Sequence, residues 1–385
     1  MKSIKKTSYH SWCNGPLTEG CKLCVEGRKL VLFITGLCGQ RCFYCPVNEK
    51  KFGSDVIYAN EWKVMNPENP FEILEEAKLT GAKGAGITGG DPLVKTDRTC
   101  KYIKMLKKEY GKHFHIHLYT PLLLVNEERL KKLFEAGLDE IRFHPDLDNE
   151  KYWNRILIAK KFKWKIGAEI PCIPGYETKT KKLIDFLEGK VSFLNLNELE
   201  RSDTNSKHYK LDEMGYKQRN STTYGVKGSR ELGKKLLAYA RTKNIDAHFC
   251  TGKLKDFIQV GNRLKIRARN AAHEFDVITG EGLLIRGAIY LKGFEPGHNY
   301  TKILEKINPE KARKKLEVMK KKILKKTKLE EHEVKIDFLH GRLIVPADKL
   351  RIESKNIKKI NYKAAVVEEY PTVDAFPVEI EFVSL

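Results

Sequence analysis

No stretch of this 385-residue chain is apolar over the length a bilayer-spanning helix needs. The basic opening from Met1 to Tyr9 is followed by no apolar signal core. The two absences argue against a helical membrane protein and predict a cytoplasmic one. Acidic residues are in deficit, 50 Asp and Glu against 72 Lys and Arg, which leaves a formal net charge of +22. That balance suits anionic partners: nucleic acid, acidic lipid or acidic substrates. It suits equally well the Lys- and Glu-rich surface of proteins from hot environments. No long repeat is visible, and a chain 41% hydrophobic and 32% charged is globular rather than disordered. Its length predicts a barrel-sized unit with a smaller companion.

Cysteine is present in an odd number, nine, and six of the nine fall in the first 45 residues. Thiols at gaps of two and three residues in a cytoplasmic chain read as metal ligands rather than disulfides. Cys100 stands inside a helical pattern and reads as simple packing.

From Lys29 to Cys250, short apolar runs alternate with amphipathic stretches. The predicted strands are Leu30–Ile34, Gly84–Ile87, His113–Leu118, Ile141–Phe143, Lys165–Ile170, Ser192–Leu196 and Asp246–Cys250. Helices are predicted between them: Pro70–Thr80 with Phe71, Leu74 and Ala77 inward, Asp97–Tyr110, a helix capped by Asn126 and ending at Gly137, Trp153–Phe162, Lys181–Leu187 and Arg230–Thr242. Residues 201–228 read as a loop. Alternating strands and helices specify a parallel sheet with right-handed crossovers. The fold class is therefore α/β, a partial parallel (β/α) barrel, with a C-terminal α+β domain. The expected division is an N-terminal cysteine-containing arm at 1–28, the barrel at 29–260 and a basic domain at 261–385. In that last part, Leu264, Ile266 and Ala268 alternate with cations as in a strand. Pro309–Lys326 reads as a basic helix with Ala312, Leu316, Met319 and Ile323 on one face. His340-Gly341 reads as a hairpin turn.

Cys38-Gly-Gln-Arg-Cys42-Phe-Tyr-Cys45 follows directly on the first barrel strand. Three thiolates on one loop can hold three irons of a cubane and leave the fourth open to a ligand. Tyr44 gives the loop a flat wall. Structural zinc is the competing reading, although a zinc ribbon uses paired Cys-x2-Cys motifs. Gly89-Gly90-Asp91-Pro92 follows the second strand, where glycine suits close backbone approach to a ligand.

The two motifs together resemble the radical S-adenosylmethionine superfamily, whose Cys-x3-Cys-x-aromatic-Cys and Gly-Gly-Glu-Pro signatures stand at these strand ends; Asp91 replaces the Glu. The chain is most similar to an uncharacterised, largely archaeal group related to the pyruvate formate-lyase activating enzyme. The similar stretches are Gly20 to Cys24, Phe33 to Pro46, His115 to Thr120, Leu138 to Pro145, Leu194 to Glu200 and His248 to Cys250. The resemblance implies a 4Fe–4S cluster on Cys38, Cys42 and Cys45, S-adenosylmethionine as cofactor and an external one-electron donor. It brings no substrate.

In parallel barrels the reacting face is the C-terminal end of the strands. The polar residues there are Thr88, Tyr119, Thr120, Arg142, His144, Glu169, Asn195, Asn197 and Glu198. Glu169 sits in an apolar run and should point inward. Arg142 could grip a carboxylate bidentately, or pair with Asp139 or Glu140 on the surface. Glu169 and Arg142 are therefore the expected catalytic residues, with Tyr44, Gly89, Gly90, Asp91, Thr120 and Asn195 around the cofactor. His115 and His117, on one strand face, read mainly as satisfied structural groups. Cys13, Cys21 and Cys24 form a second set in a polar, turn-rich stretch. They suggest a second metal site, zinc or an auxiliary iron–sulfur cluster, with Cys250 as the leading fourth ligand and His248, His10 and Cys172 behind it. Arg263, Lys265, Arg267 and Arg269 on one strand face, with the basic helix, would suit a tRNA-like RNA, although a solvated face is the default and no RNA-binding signature is visible. Three functions stay open: a radical enzyme modifying RNA, a radical enzyme activating or modifying a protein or small molecule, and a metal-stapled RNA-binding protein.

Overall fold

The structure, a computed structural model, describes residues 3–202, 209–297 and 300–383. It divides into two units at Arg263/Leu264. The loop expected at 201–228 is described only in part, since residues 203–208 lie outside the described residues.

In the first unit seven parallel strands stand in chain order: β1 (Lys29–Phe33), β2 (Gly84–Thr88), β3 (His115–Pro121), β4 (Glu140–His144), β5 (Lys165–Cys172), β6 (Phe193–Glu198) and β7 (Asp246–Cys250). Crossovers run through α2 (Phe71–Leu79), α3 (Thr96–Tyr110), α4 (Glu127–Ala136), a 3₁₀ series at Glu150–Lys161, α5 (Glu177–Leu187) and α6 (Ser229–Thr242). The sequence has the matching signals. Asn126 Oδ1 accepts from Arg129 N at the start of α4, and Gly137 closes it in the left-handed region. In α2 the inward face is Ile73, Glu76 and Ala77; Phe71, expected inward, is exposed against Trp62. Glu76 can turn in because Asn60 Nδ2 donates to it at 2.9 Å.

Strand side chains alternate. Leu32, Ile87, Leu118, Phe143, Ile170, Leu196 and Phe249 share one buried core with the helices. The opposite face carries Thr88, Tyr119, Arg142, His144, Glu169, Asn195, Asn197 and His248, and it is polar almost throughout. Residues following β1 and residues following β7 line the same cavity, so the sheet curls into a partial barrel.

The N-terminal arm expected at 1–28 is built into this unit over its described residues, 3–28. Trp12–Cys13 pairs antiparallel with β7, placing Cys13 opposite His248, and Trp12 stacks on Phe249. α1 (Glu19–Glu26) packs against β1, β2 and β3. Its close approach requires Gly20: a Cβ there would lie 2.5 Å from His117 Nδ1 and 2.6 Å from Arg142 Nη2.

The second unit is an antiparallel sheet in the order β9 (Lys335–Asp337), β10 (Arg342–Val345), β8 (Leu284–Tyr290), β11 (Lys363–Glu369), β12 (Pro377–Val383), with Val277–Ile278 on β8. The basic helix Pro309–Lys326 is present with its four expected residues buried, and the His340-Gly341 turn joins β9 to β10. One expectation fails. Residues Gly261–Ala271 form an α-helix, not a strand. Its buried positions are Arg263, Leu264, Arg267 and Ala268, a four-residue spacing. Arg263 and Arg267 are turned in while Lys265 and Arg269 face solvent, so the four cations do not share a face.

Leu196 is fully buried at the centre of the barrel's outer core. Leu196→Ala should lower the unfolding free energy by about 2–5 kcal/mol. A denaturant titration reads this as a fall in midpoint at constant slope.

Candidate active site

The loop carrying Cys38, Cys42 and Cys45 is fixed by backbone pairing with the end of β2. Ile34 N donates to Thr88 O at 2.9 Å, Gly90 N to Thr35 O at 2.7 Å and Asp91 N to Leu37 O at 2.9 Å. Gly89 has φ 147°, and a Cβ there would lie 2.4 Å from Thr35 O; one on Gly90 would lie 2.4 Å from Leu37 O. The close approach expected between these glycines and a ligand is thus also an approach to the cysteine loop itself.

Asp91 turns its carboxylate inward. Oδ1 accepts from Leu93 N at 3.0 Å, capping the turn at Pro92–Lys95, and from Thr120 Oγ1 at 2.8 Å. Oδ2 is buried with no partner among the described residues. Burial pushes the carboxyl up to about 6, against the pull of its two donors.

The three thiols face a cavity of about 400 Å³, whose walls include Tyr44, Gly89, Gly90, Thr120, His144, Glu169, Asn197, Glu198 and Lys255. Burial raises Cys38 to about 11 and Cys42 to about 12, and raises Cys45 as well. Metal binding would remove those protons. The donor set fits an iron–sulfur cluster: three thiols on one short loop, beside open space, with no cation paired to them among the described contacts. As the side chains stand, no three His, Cys, Asp or Glu groups are gathered into a preformed metal cage among the described residues.

Tyr44 is fixed by a relay. Its hydroxyl lies 2.9 Å from His144 Nε2, and His144 Nδ1 lies 2.8 Å from Glu169 O. A carbonyl only accepts, so Nδ1 carries the proton and Nε2 accepts from Tyr44. Burial holds this imidazole neutral. Phe43 stacks on Tyr216 and closes the loop's other side.

Glu169 is the carboxylate of the cavity wall. Oε2 accepts from Arg142 Nη1 at 2.9 Å and Asn195 Nδ2 at 2.8 Å, and Oε1 from Asn197 Nδ2 at 2.9 Å. Burial alone would raise its pKa; Arg142 and the two amides outweigh that and hold it at about 2.

Arg142 does not line the cavity. It is buried beneath Glu169 with every nitrogen engaged: Nε donates to Glu140 Oε1 at 2.6 Å, Nη1 also to Tyr119 Oη at 3.0 Å, and Nη2 to Thr18 Oγ1 at 3.1 Å. It pairs with Glu140, but inside the barrel rather than on the surface, and it has no nitrogen left for a ligand's carboxylate. Asn195 likewise sits behind the wall, between Glu169 and Cys21, while Asn197 reaches the cavity. His117 is buried 3.2 Å from Tyr119 Oη, and burial keeps it neutral.

Two features escape a motif-based reading. Lys255 reaches the cavity from a π-helical turn at Leu254–Val260 and is ion-paired with Glu200. Its only signal in sequence is its place after the seventh strand. α1 enters the barrel interior, bringing Thr18 and Cys21 to Arg142, and a polar eight-residue segment carries no sign of this.

Of the second cysteine set, Cys21 is buried beside Asn195, Arg142 and His248; burial opposes ionisation, but Arg142 and His248 hold its pKa near 6. Cys24 lies beside Lys29, and Cys250 stands opposite Asn197. Cys172 and Cys100 are buried in the outer core, away from these groups.

A family model of the Radical SAM superfamily matches residues 32–187. A protein of Methanocaldococcus jannaschii, described as "Putative glycyl-radical enzyme activating enzyme", is 39% identical over 376 residues, covering 94% of this chain and 92% of its own. The chain belongs to the radical SAM superfamily, and it is an enzyme of that class, which uses a 4Fe–4S cluster and S-adenosylmethionine. A "Probable GTP 3',8-cyclase" of the same organism is 33% identical over 131 residues, 34% of this chain and 40% of that one. Among solved structures, methylornithine synthase aligns with a TM-score of 0.37 at 14% identity over 60% of this chain and 73% of its own. No helix among the described residues is long and apolar enough to cross a membrane.

The depressed Glu169 pKa has a definite sign. The stability it contributes is present above its unfolded value near 4.5 and is lost as pH falls toward about 2. Glu169→Gln should therefore flatten the pH dependence of unfolding below pH 4.5, an effect on the order of 3 kcal/mol across that window. Chemical unfolding of both proteins at pH 5, 4 and 3, by about one-unit steps, measures it.

Proposed function

We propose that Cys38, Cys42 and Cys45 hold the 4Fe–4S cluster and that S-adenosylmethionine binds in the cavity beside them. The observation that carries the reading is that these three thiols share one cavity wall with Gly89, Gly90, Thr120, Glu169 and Asn197. When bound, the reduced cluster would supply one electron to the sulfonium of S-adenosylmethionine, and the pair would thereby provide the carbon radical that takes hydrogen from a substrate C–H bond.

The chain's own residues bind, orient and shield. The Gly89–Gly90 backbone fixes the cysteine loop. The unpaired Asp91 Oδ2 is an acceptor waiting beside it. Glu169, ionised and held by Arg142, Asn195 and Asn197, presents a fixed carboxylate to the cavity. Arg142 is a positioning residue that acts through Glu169. Tyr44 and His144 hold the loop against β4 and β5. The electron comes from an external donor.

The substrate we infer is a protein, with the radical placed on a polypeptide C–H as in glycyl-radical activation. This rests on the relative that matches nearly the whole chain, whose description names that activity. Modification of RNA loses its main support, because the cations expected on one strand face belong to a helix that turns Arg263 and Arg267 inward.

After anaerobic reconstitution with iron and sulfide, reduction in the presence of S-adenosylmethionine should yield 5′-deoxyadenosine. Replacing Cys38, Cys42 and Cys45 together with Ala should reduce that yield to background, and undiminished cleavage by the triple variant would end the cluster assignment. The substrate class is tested by electron paramagnetic resonance of the reduced enzyme mixed with candidate proteins from its own cells, alongside mass spectrometry of tRNA from a deletion strain. A protein-based glycyl radical is expected; a missing tRNA modification would overturn the protein reading.

A further inference from the structure

The second cysteine set comes together inside the barrel with a ligand partner that spacing alone ranked low. α1 carries Cys21 and Cys24 three residues apart on one helix face. β7 carries His248 and Cys250 on its inward face, in register with Asn195 and Asn197 of β6. Asn195, level with His248 in the sheet, reaches α1, since its Nδ2 donates to Cys21 Sγ at 3.3 Å. Arg142 Nη2 lies 3.6 Å from the same sulfur. Metal-bound thiolates characteristically keep N–H donors of this kind.

His248 is the second, independent observation. It is buried at 6% exposure, and its Nε2 is engaged with Ser11 Oγ at 2.8 Å. Its Nδ1 is buried and has no partner among the described residues. One ring nitrogen fixed by a hydrogen bond and the other left free is the state in which histidine ligates metals. Cys24 and Cys250 are both partly exposed, and each thiol lies within electrostatic reach of Cys21. Lys29, beside Cys24, balances the single negative charge that three thiolates leave around a divalent ion.

We propose that α1 and β7 together bind one zinc ion through Cys21, Cys24 and Cys250 Sγ and His248 Nδ1. A Cys₃His set closes a tetrahedral shell, which is the composition of structural zinc sites. The side chains are not drawn to coordination distance as they stand, so binding requires thiol rotation. Each ligating thiol releases its proton to solvent, and no oxidation is involved. Cys13 stays outside the shell: it faces His248 across the strand pair, but its charged and hydrogen-bonding neighbours are Lys5 and Gly15 of the N-terminal segment. The site is separate from the Cys38, Cys42, Cys45 loop, so its test does not depend on the proposed cluster.

The test uses the full chain with Cys38, Cys42 and Cys45 replaced by Ala. Elemental analysis after growth with zinc should find one zinc per chain. Adding Cys21→Ser and Cys24→Ser should reduce this to background with the far-ultraviolet circular dichroism unchanged, and Cys13→Ser should leave it intact. His248→Gln should weaken zinc in chelator competition by about tenfold or more. Because the cysteine variants could unfold, cobalt is also titrated into the metal-free parent. It should produce thiolate-to-cobalt charge-transfer absorption at one equivalent. Absence of that band, zinc content indifferent to Cys21→Ser and Cys24→Ser, loss of zinc in Cys13→Ser, or iron with sulfide in place of zinc would each overturn the proposal.

Discussion

Arg142 is a fully buried guanidinium, and the interior of the barrel is organised around its charge. An unpaired cation at that depth would cost several kcal/mol, so its neighbours must be carboxylates and acceptors with good geometry. Glu140 takes Nε and Nη2 from below, Glu169 and Tyr119 share Nη1, and Thr18 takes Nη2 from α1. One side chain on β4 thereby ties together β3, β5 and the helix that enters the barrel. Removing one partner would leave the others with an uncompensated charge, so the network holds or fails as a unit.

The cavity inherits its chemistry from that arrangement. Glu169 is ionised because Arg142 stands beneath it, and it is aimed because Asn195 and Asn197 hold both of its oxygens. Its main-chain carbonyl orients His144, and His144 orients Tyr44 on the cysteine loop. A carboxylate layer and a thiol layer are thus coupled through two hydrogen bonds. The second constraint is steric. The Cys38 loop can lie on β2 only because residues 89 and 90 have no side chain, so the two motifs are one packed unit rather than two separate ligand contacts.

The parallel fold was legible because its signal is local. Alternating apolar runs and amphipathic helices mark all seven strands to within a few residues, and the cysteine loop and Gly-Gly-Asp-Pro run announce themselves by spacing. Residues Gly261–Ala271 misled because alternation over six residues mimics a strand. The deciding fact is burial of Arg263 and Arg267 at a helical interval, and the partner of Arg263, Glu61, is far away in sequence. Arg142 was expected to meet a ligand's carboxylate or to pair on the surface; its position one layer below the cavity, on Glu140 and Glu169, follows from strand register, which the sequence does not state.

What the sequence by itself determined is the order of elements, the inward placing of Glu169, and the spacing of both cysteine sets, because periodicity and short-range spacing act within a few residues. Only the tertiary structure decided that α1 enters the barrel, that Lys255 reaches the cavity, that Asn197 rather than Asn195 lines it, and that His248 faces Cys21. Each of those is a meeting of segments remote in the chain, set by strand register and by the need to satisfy buried charge, and no local pattern encodes it.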